Sequence, residues 1–250
     1  MPLQQTSGNV TQDAYAGGKA AVPVYVESVF STYLYSGTGA TQSITNNIDL
    51  TDNGGMTWIK CRTNVYYNLL FDTVRGSGYR LVSNNTTAST YNSDTLTSFN
   101  TNGFTVGADS GGIGTNVSGQ TFASWTFRKQ PKFFDVVTYT GNGAGSNLIS
   151  HNLGVQPSCI IFKVTSAAGY SWTTVHRGTN GYLNLNLTDA AAATYAAGIG
   201  NIGSGALVPC SATQIDVGPL VNDNGKTFVA YLFAHNAGGF GLTGTDNVIS

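Results

Sequence analysis

The charged pair Asp72 and Arg75 is the arrangement in this sequence most suggestive of chemistry. A carboxylate can act as a general acid or base when a neighbouring cation tunes its proton affinity. A second Arg-Gly pair begins at Arg177, where the residue three positions earlier is Thr174 instead of an aspartate. The sequence therefore favours a structural interpretation, in which Arg75 closes a turn at the end of a strand by binding backbone carbonyl groups.

The other titratable side chains form no pattern typical of catalysis or metal binding. The histidines follow neither His-x-His nor His-Glu-x-x-His spacing: His151, His176 and His235. The cysteines are too few and too scattered for a disulfide scaffold or a zinc site, and are predicted to be buried thiols: Cys61, Cys159 and Cys210. Several carboxylates stand in predicted turns, where they bind backbone: Asp52, Asp109 and Asp223. We predict no catalytic residue, no metal, no cofactor and no enzymatic activity.

Aromatic side chains are the remaining candidates for recognition. They make up 11% of the chain, with 13 tyrosines and 12 phenylalanines. Tyrosine and tryptophan combine a flat apolar ring with a polar group, which suits contacts with a sugar or a protein receptor. Four lie at or near predicted loops and are weak candidates for receptor binding: Tyr66, Tyr67, Tyr170 and Trp172. Packing in the core or between subunits is the favoured alternative, above all for Trp125 and Tyr231, which hold corresponding strand positions.

The composition predicts a β-rich protein with an unusually uncharged surface. Only 9% of the residues are Asp, Glu, Lys or Arg, against about a quarter in typical proteins. Thr, Ser, Asn and Gly must therefore supply the polar surface, and this mixture favours strands joined by many turns. The net charge is −1 and no basic run exists, so we expect no nucleic-acid partner. The absence of a long apolar stretch predicts no membrane insertion.

The sequence repeats itself after residue 29. The block Phe30–Gly39 returns as Phe134–Gly143, and Gly119–Phe127 returns as Gly225–Phe233. Strands in these blocks alternate in side-chain size, as half-buried antiparallel strands do. Each repeat has about the length of one β-sandwich.

We therefore predict an all-β protein with two tandem antiparallel β-sandwich or jelly-roll-like domains and an extended N-terminal arm. The predicted divisions are an anchoring arm over 1–29, a first repeat over 30–129, a second over 130–237 and a Gly-rich linker over 238–250, which could lead to a further domain. The connection at Gln130–Lys132 is short, so we expect the repeats to be closely coupled.

Several of these blocks resemble a known family. Thr138–Gly143, Ser150–Gly154, Val229–His235, Val29–Tyr35 and Leu70–Gly76 resemble a tandem repeat domain of unknown function. That domain is found in tail and fibre proteins of marine tailed bacteriophages such as cyanophages. The resemblance extends over about residues 29–247 and implies a virion structural protein, without catalytic residues to transfer.

We accordingly expect a tail fibre or tail-associated protein for host adhesion, acting through many weak contacts. The alternatives are a capsid decoration or head-fibre protein and a carbohydrate-binding module, whose sign would be a shallow exposed aromatic groove. A depolymerase would need an acidic cluster across a groove. Expected partners are other virion proteins through residues 1–29, further copies in a homo-oligomer (a trimer by analogy with phage fibres), and a host surface glycan or protein. The expected location is the virion surface, after synthesis in the bacterial cytoplasm and release by lysis.

Overall fold

Antiparallel strands account for nearly all the regular structure in the computed structural model, which describes residues 23–178, 181–192, 210–235 and 238–241. In chain order the strands are β1 Phe30–Ser36, β2 Gln42–Thr45, β3 Gly55–Cys61, β4 Asn68–Asp72, β5 Tyr79–Val82, β6 Thr90–Tyr91, β7 Leu96–Asn100, β8 Gly103–Val106, β9 Thr121–Arg128, β10 Phe134–Thr140, β11 Asn147–Ser150, β12 Cys159–Val164, β13 Thr173–His176, β14 Tyr182–Asn184, β15 Gln214–Val217 and β16 Thr227–Phe233. Two 3-10 turns span Val26–Ser28 and Pro219–Val221. The predicted all-β, antiparallel class is confirmed.

Each half of the chain contributes one large and one small sheet. We call residues 30–129 the first half and 130–237 the second half. The large sheets have the orders β1-β9-β3-β4-β5-β6 and β10-β16-β12-β13-β14, and the small sheets are β2-β8-β7 and β11-β15. The registers agree as well, since Phe30 lies opposite Phe127 in one large sheet and Phe134 opposite Phe233 in the other.

Loops at corresponding positions are held by the same hydrogen bonds. The Asn116 side-chain amide donates to the carbonyl of Ala40 at 2.7 Å, and the Asn222 amide donates to the carbonyl of Ala144 at 2.8 Å. Both asparagines are buried, so their amide groups need protein partners in place of water. These bonds tie the loop that leads into each small sheet to the loop that follows the last strand of that sheet.

Three apolar cores alternate with the sheets and give the molecule a layered build. One core lies between the large and small sheets of the first half, and includes Phe71, Phe104 and Phe122. Another fills the same space in the second half, around Phe162 and Phe228. The third lies between the two large sheets, so the second large sheet is covered on both faces and the first is covered on one face and on part of the other.

This central core corrects the expectation of half-buried strands. Along β16, five consecutive residues from Phe228 to Leu232 are buried, because even-numbered side chains face the small sheet and odd-numbered ones face the first half. Strands covered on both faces carry apolar side chains on both. Alternation in the sequence identified the strand but not the second layer.

The central core also includes residues that the sequence assigned to a linker. Phe240 is buried in it and contacts Phe133, with 6.2 Å between ring centroids. Gly241 donates its N–H to the carbonyl of Val24 at 2.9 Å. Residues 238–241 are thus part of the packed body, which corrects the predicted linker there. Of the predicted arm over residues 1–29, residues 1–22 lie outside the described residues, while Val24 and Val29 pack in the central core. The rest of the linker, 242–250, also lies outside the described residues.

Candidate functional site

The four aromatic candidates occupy very different environments. Tyr67 is 49% exposed, whereas Tyr66 and Tyr170 are half-buried against the cores of their own halves. Their backbone carbonyls accept hydrogen bonds from two corresponding lysines, Lys60 at 3.2 Å and Lys163 at 2.6 Å. Tyr66 and Tyr170 are therefore equivalent positions, and only Tyr67 presents a largely free ring.

Trp172 is a core residue, which corrects its assignment as a receptor-binding candidate. Its side chain is fully buried and stacks on Tyr231, with 6.5 Å between ring centroids. The indole N–H donates to the carbonyls of Val82 at 2.9 Å and Asn85 at 3.2 Å. A buried indole requires such an acceptor, and here the acceptors come from the other half of the chain.

The charged pair singled out in the sequence joins the two halves. Arg75 donates through Nε to Asp72 Oδ2 at 2.7 Å, and the hydroxyl of Tyr231 donates to the same oxygen at 2.7 Å. Arg75 also donates to the carbonyl of Tyr79 at 3.2 Å, so its predicted role in a turn is confirmed. Burial, reinforced by the Asp72 carboxylate, raises the pKa of Tyr231 well above its usual value. The tyrosine consequently stays a donor, and the cluster ties the sheets together.

Strand register corrects the sequence correspondence around this pair. Thr174 lies opposite Ile161, and Leu70 lies opposite Trp58. Because Ile161 and Trp58 hold corresponding positions in the two halves, Thr174 corresponds to Leu70. The N–H of Arg177 donates to the carbonyl of Ser158 just as that of Thr73 donates to Gly55. Arg177 therefore holds the place of Thr73, and the aspartate position of the second half is His176.

An open aromatic groove lies on the first large sheet, on the face that looks toward the second half. It has a volume of about 410 Å³ and is lined by Trp58, Lys60, Asn68, Trp125 and Phe127. The two indoles meet edge to face, with 6.3 Å between centroids. Sequence reasoning placed Trp125 in the core, but the structure leaves it half-buried. The lining is therefore mainly aromatic, with one lysine and one asparagine beside the rings.

A second, more polar cleft lies in the second half. It has a volume of about 260 Å³, and Tyr170, Tyr182 and Asn184 contribute to its lining. The hydroxyl of Tyr170 donates to Asp223 at 2.7 Å, which orients the ring at the edge of the cleft. Lys163 also lines it, and burial lowers the pKa of this lysine to about 8. The arrangement offers aromatic faces beside hydrogen-bonding groups, a combination that can hold a polyhydroxylated ligand.

Of the three carboxylates predicted to bind backbone in turns, Asp109 does so, whereas Asp223 accepts a hydrogen bond from the hydroxyl of Tyr170. Asp109 is buried and accepts four backbone N–H bonds from residues 113–116. Cys61 and Cys210 are buried and Cys159 is half-buried, all as free thiols. Burial raises the pKa of Cys159 and of Cys210 to about 11, which makes both poor nucleophiles.

The part of the chain that the structure describes, residues 23–178, 181–192, 210–235 and 238–241, offers neither a metal-binding cluster nor a membrane-spanning helix. Within those four ranges, no three or more His, Cys, Asp or Glu side chains lie close enough to hold a metal ion. No helix there is long and apolar enough to cross a membrane.

Comparison with known proteins places the chain in a family. The model of a domain of unknown function, DUF7483, matches residues 27–245. The chain belongs to this family. The match runs through both halves, so both belong to the family's domain. No curated protein and no solved structure matches the chain.

Proposed function

We propose that this chain is a structural protein of the surface of a tailed-phage virion, in a tail fibre or tail-associated assembly that contacts the host. Its two halves would be tandem copies of one unit. The observation that carries the proposal is the sheet-to-sheet joining of two halves with the same strand order through a shared aromatic core. Such joining makes a stiff unit from small repeated parts, which suits a fibre that must hold its shape outside the cell.

The surface chemistry supports the same proposal. With 9% charged residues, contacts with a partner must come from Tyr, Thr, Asn and backbone groups, as in adaptable binding surfaces. Exposed rings such as Tyr67, Tyr79 and Tyr91 lie on the first half. Weak contacts of this kind gain strength when several copies act together.

Localisation in virions tests the proposal. Antibodies raised against the purified chain would be used for immunogold electron microscopy of a phage that encodes it. Label on the tail supports the fibre assignment, and label on the head supports the alternative of a capsid decoration or head-fibre protein. Virions that carry no label, in preparations where the antibody detects the protein in infected cells, would contradict a virion role. Competition with phage adsorption by the purified chain, against the heat-denatured chain as a control, tests host contact.

Carbohydrate binding is the second candidate, and the cleft beside Tyr170 favours it. Its two tyrosine rings and Asn184 could stack on and hydrogen-bond to one sugar unit. A glycan array probed with the purified chain tests this, with Tyr182→Phe and Tyr67→Phe as matched variants. Binding that Tyr182→Phe weakens and Tyr67→Phe leaves unchanged supports the cleft as the site.

A further inference from the structure

One face of the second large sheet is covered by a turn from the first half. Lys163, Trp172 and Tyr231 lie on this face and are almost wholly buried. The backbone of the turn Val82–Thr86 contacts Trp172 and Lys163. The carbonyls of Val82 and Asn85 accept from the Trp172 indole, and that of Thr86 accepts from Lys163 Nζ at 3.3 Å. Apolar rings and backbone acceptors together close this surface to water.

On the corresponding face of the first large sheet, the part around Trp58 and Trp125 is open, while Met56, Leu70 and Leu81 are buried in the central core. Strand register relates Lys163 to Lys60 and Tyr231 to Trp125. Trp172 corresponds to Asn68, because Leu185 donates to the carbonyl of Trp172 as Ser83 donates to that of Asn68. Each of these first-half residues lines the aromatic groove. The groove is thus the unfilled counterpart of a surface that is filled within the same chain.

The covering turn has a counterpart too, and that counterpart is exposed. Leu187 donates its N–H to the carbonyl of Asn184 at 3.0 Å, matching the bond from Asn85 to Val82. The turn Asn184–Leu187 presents Leu185 and Leu187, which are 40% and 47% exposed. It carries no charge, so it can enter an aromatic groove without the cost of desolvating an ion.

We propose that the Asn184–Leu187 turn of one copy docks in the Trp58–Trp125 groove of a second copy, repeating between molecules the contact that the Val82–Thr86 turn makes within one. Leu185 and Leu187 would cover the indole rings. Asn68 and Lys60 would supply donors to the turn carbonyls, as Trp172 and Lys163 do within the chain. Because the two surfaces differ, the contact is head-to-tail, and it extends into a row or closes into a ring.

A second copy of the chain is a partner that the proposed function leaves open, and its docking does not depend on a place in a virion. The counterpart of the Asp72–Tyr231 bond is absent, because Trp125 and His176 hold those positions. The contact between copies is therefore expected to be weaker than the contact between halves and to depend on protein concentration.

Sedimentation velocity of the full chain, from about 1 μM to about 1 mM, tests the contact over the range in which weak interfaces form. The wild type should associate as concentration rises. Leu187→Asp should weaken association by about 30-fold or more, the effect of removing a hot-spot side chain. The matched control is Leu148→Asp, an exposed leucine (56%) on β11 of the small sheet, which should change nothing. Equal effects of the two variants, or a monomeric wild type throughout, would overturn the proposal.

A mixing experiment tests the head-to-tail arrangement. Asn68→Arg blocks the groove but keeps the turn, whereas Leu187→Asp keeps the groove and damages the turn. Each variant alone should remain monomeric, and an equal mixture should form one-to-one dimers and nothing larger. A mixture that stays monomeric refutes the pairing. Two results would give the groove another occupant and overturn the proposal. One is a photo-crosslinker at residue 68 that reacts with residues 1–22 of a monomer. The other is tryptophan fluorescence that responds to a saccharide from the array but not to protein concentration.

Discussion

Removal of one hydroxyl group, in Tyr231→Phe, tests whether the buried charged cluster holds the halves together. The hydroxyl donates to Asp72 Oδ2 at 2.7 Å, and neither side chain is exposed. The carboxylate keeps two other donors, Arg75 Nε at 2.7 Å and the Arg75 backbone N–H at 2.9 Å. The change therefore removes one of these three bonds to the carboxylate, and also the 3.4 Å bond that the hydroxyl accepts from Arg75 Nη2, without adding or deleting a formal charge.

The expected cost follows from these partners. A hydrogen bond to a charged group contributes about 1.5–3 kcal/mol, while separating a buried ion pair costs about 3–5 kcal/mol. Since the ion pair survives, we expect a loss of about 2 kcal/mol. Tyr139→Phe is the matched control, because that hydroxyl donates at 2.7 Å to a neutral acceptor, the carbonyl of Val221, and should cost about 1 kcal/mol.

Urea denaturation of the wild type and both variants measures these free energies of unfolding. Tyr231→Phe should lower the free energy of unfolding by more than Tyr139→Phe does. In an Asp72→Asn background, Tyr231→Phe should cost less than it does alone, because the charged acceptor is gone. A loss from Tyr231→Phe no larger than that from Tyr139→Phe would refute the assigned role of the cluster.

Three further predictions concern folding of the chain. Burial lowers the pKa of His151, so the folded state binds protons less readily than the unfolded chain. The free energy of unfolding should therefore fall as pH drops below about 6.5. His151→Asn should reduce this pH dependence in denaturation curves recorded at pH values of about 7 and about 5. Gly141→Ala should destabilise the fold by about 1–3 kcal/mol, because its Cβ would lie 2.2 Å from a backbone oxygen, whereas Gly145→Ala, with nothing within 4 Å, should be nearly neutral. Trp172→Ala should cost about 3–5 kcal/mol and Tyr67→Ala less than about 0.5 kcal/mol in thermal denaturation.

The strands were predictable from the sequence because side-chain alternation and turn residues are local signals. The turns at Asp52–Gly55, Thr101–Gly103 and Asp223–Gly225 separate strands as expected. The repeated blocks also predicted corresponding strands, and β1 and β10 do hold the same place in their sheets. What alternation does not reveal is the number of layers that cover a strand, since a sheet buried on both faces requires a partner distant in sequence.

The site residues show the same limit. Trp125 was expected in the core and Trp172 near the surface, but Trp172 is the buried one. The burial of each tryptophan depends on how the two halves pack on each other. That packing is made by residues about as far apart in the sequence as Val82 and Trp172. The repeated blocks also matched Arg177 to Arg75, because the sequence does not reveal that the β13–β14 turn is shorter than the β4–β5 turn.

The hydrogen bond between Gly241 and Val24 brings together two points at opposite ends of the described chain. A fold whose distant ends adjoin can be closed by a short linker and reopened elsewhere, as circular permutants are. The loop at Val65, 96% exposed, is a suitable opening because little packing would be lost there. Each sheet would keep its strands under that rearrangement, so the order in which the strands are encoded is separable from the order in which they pack.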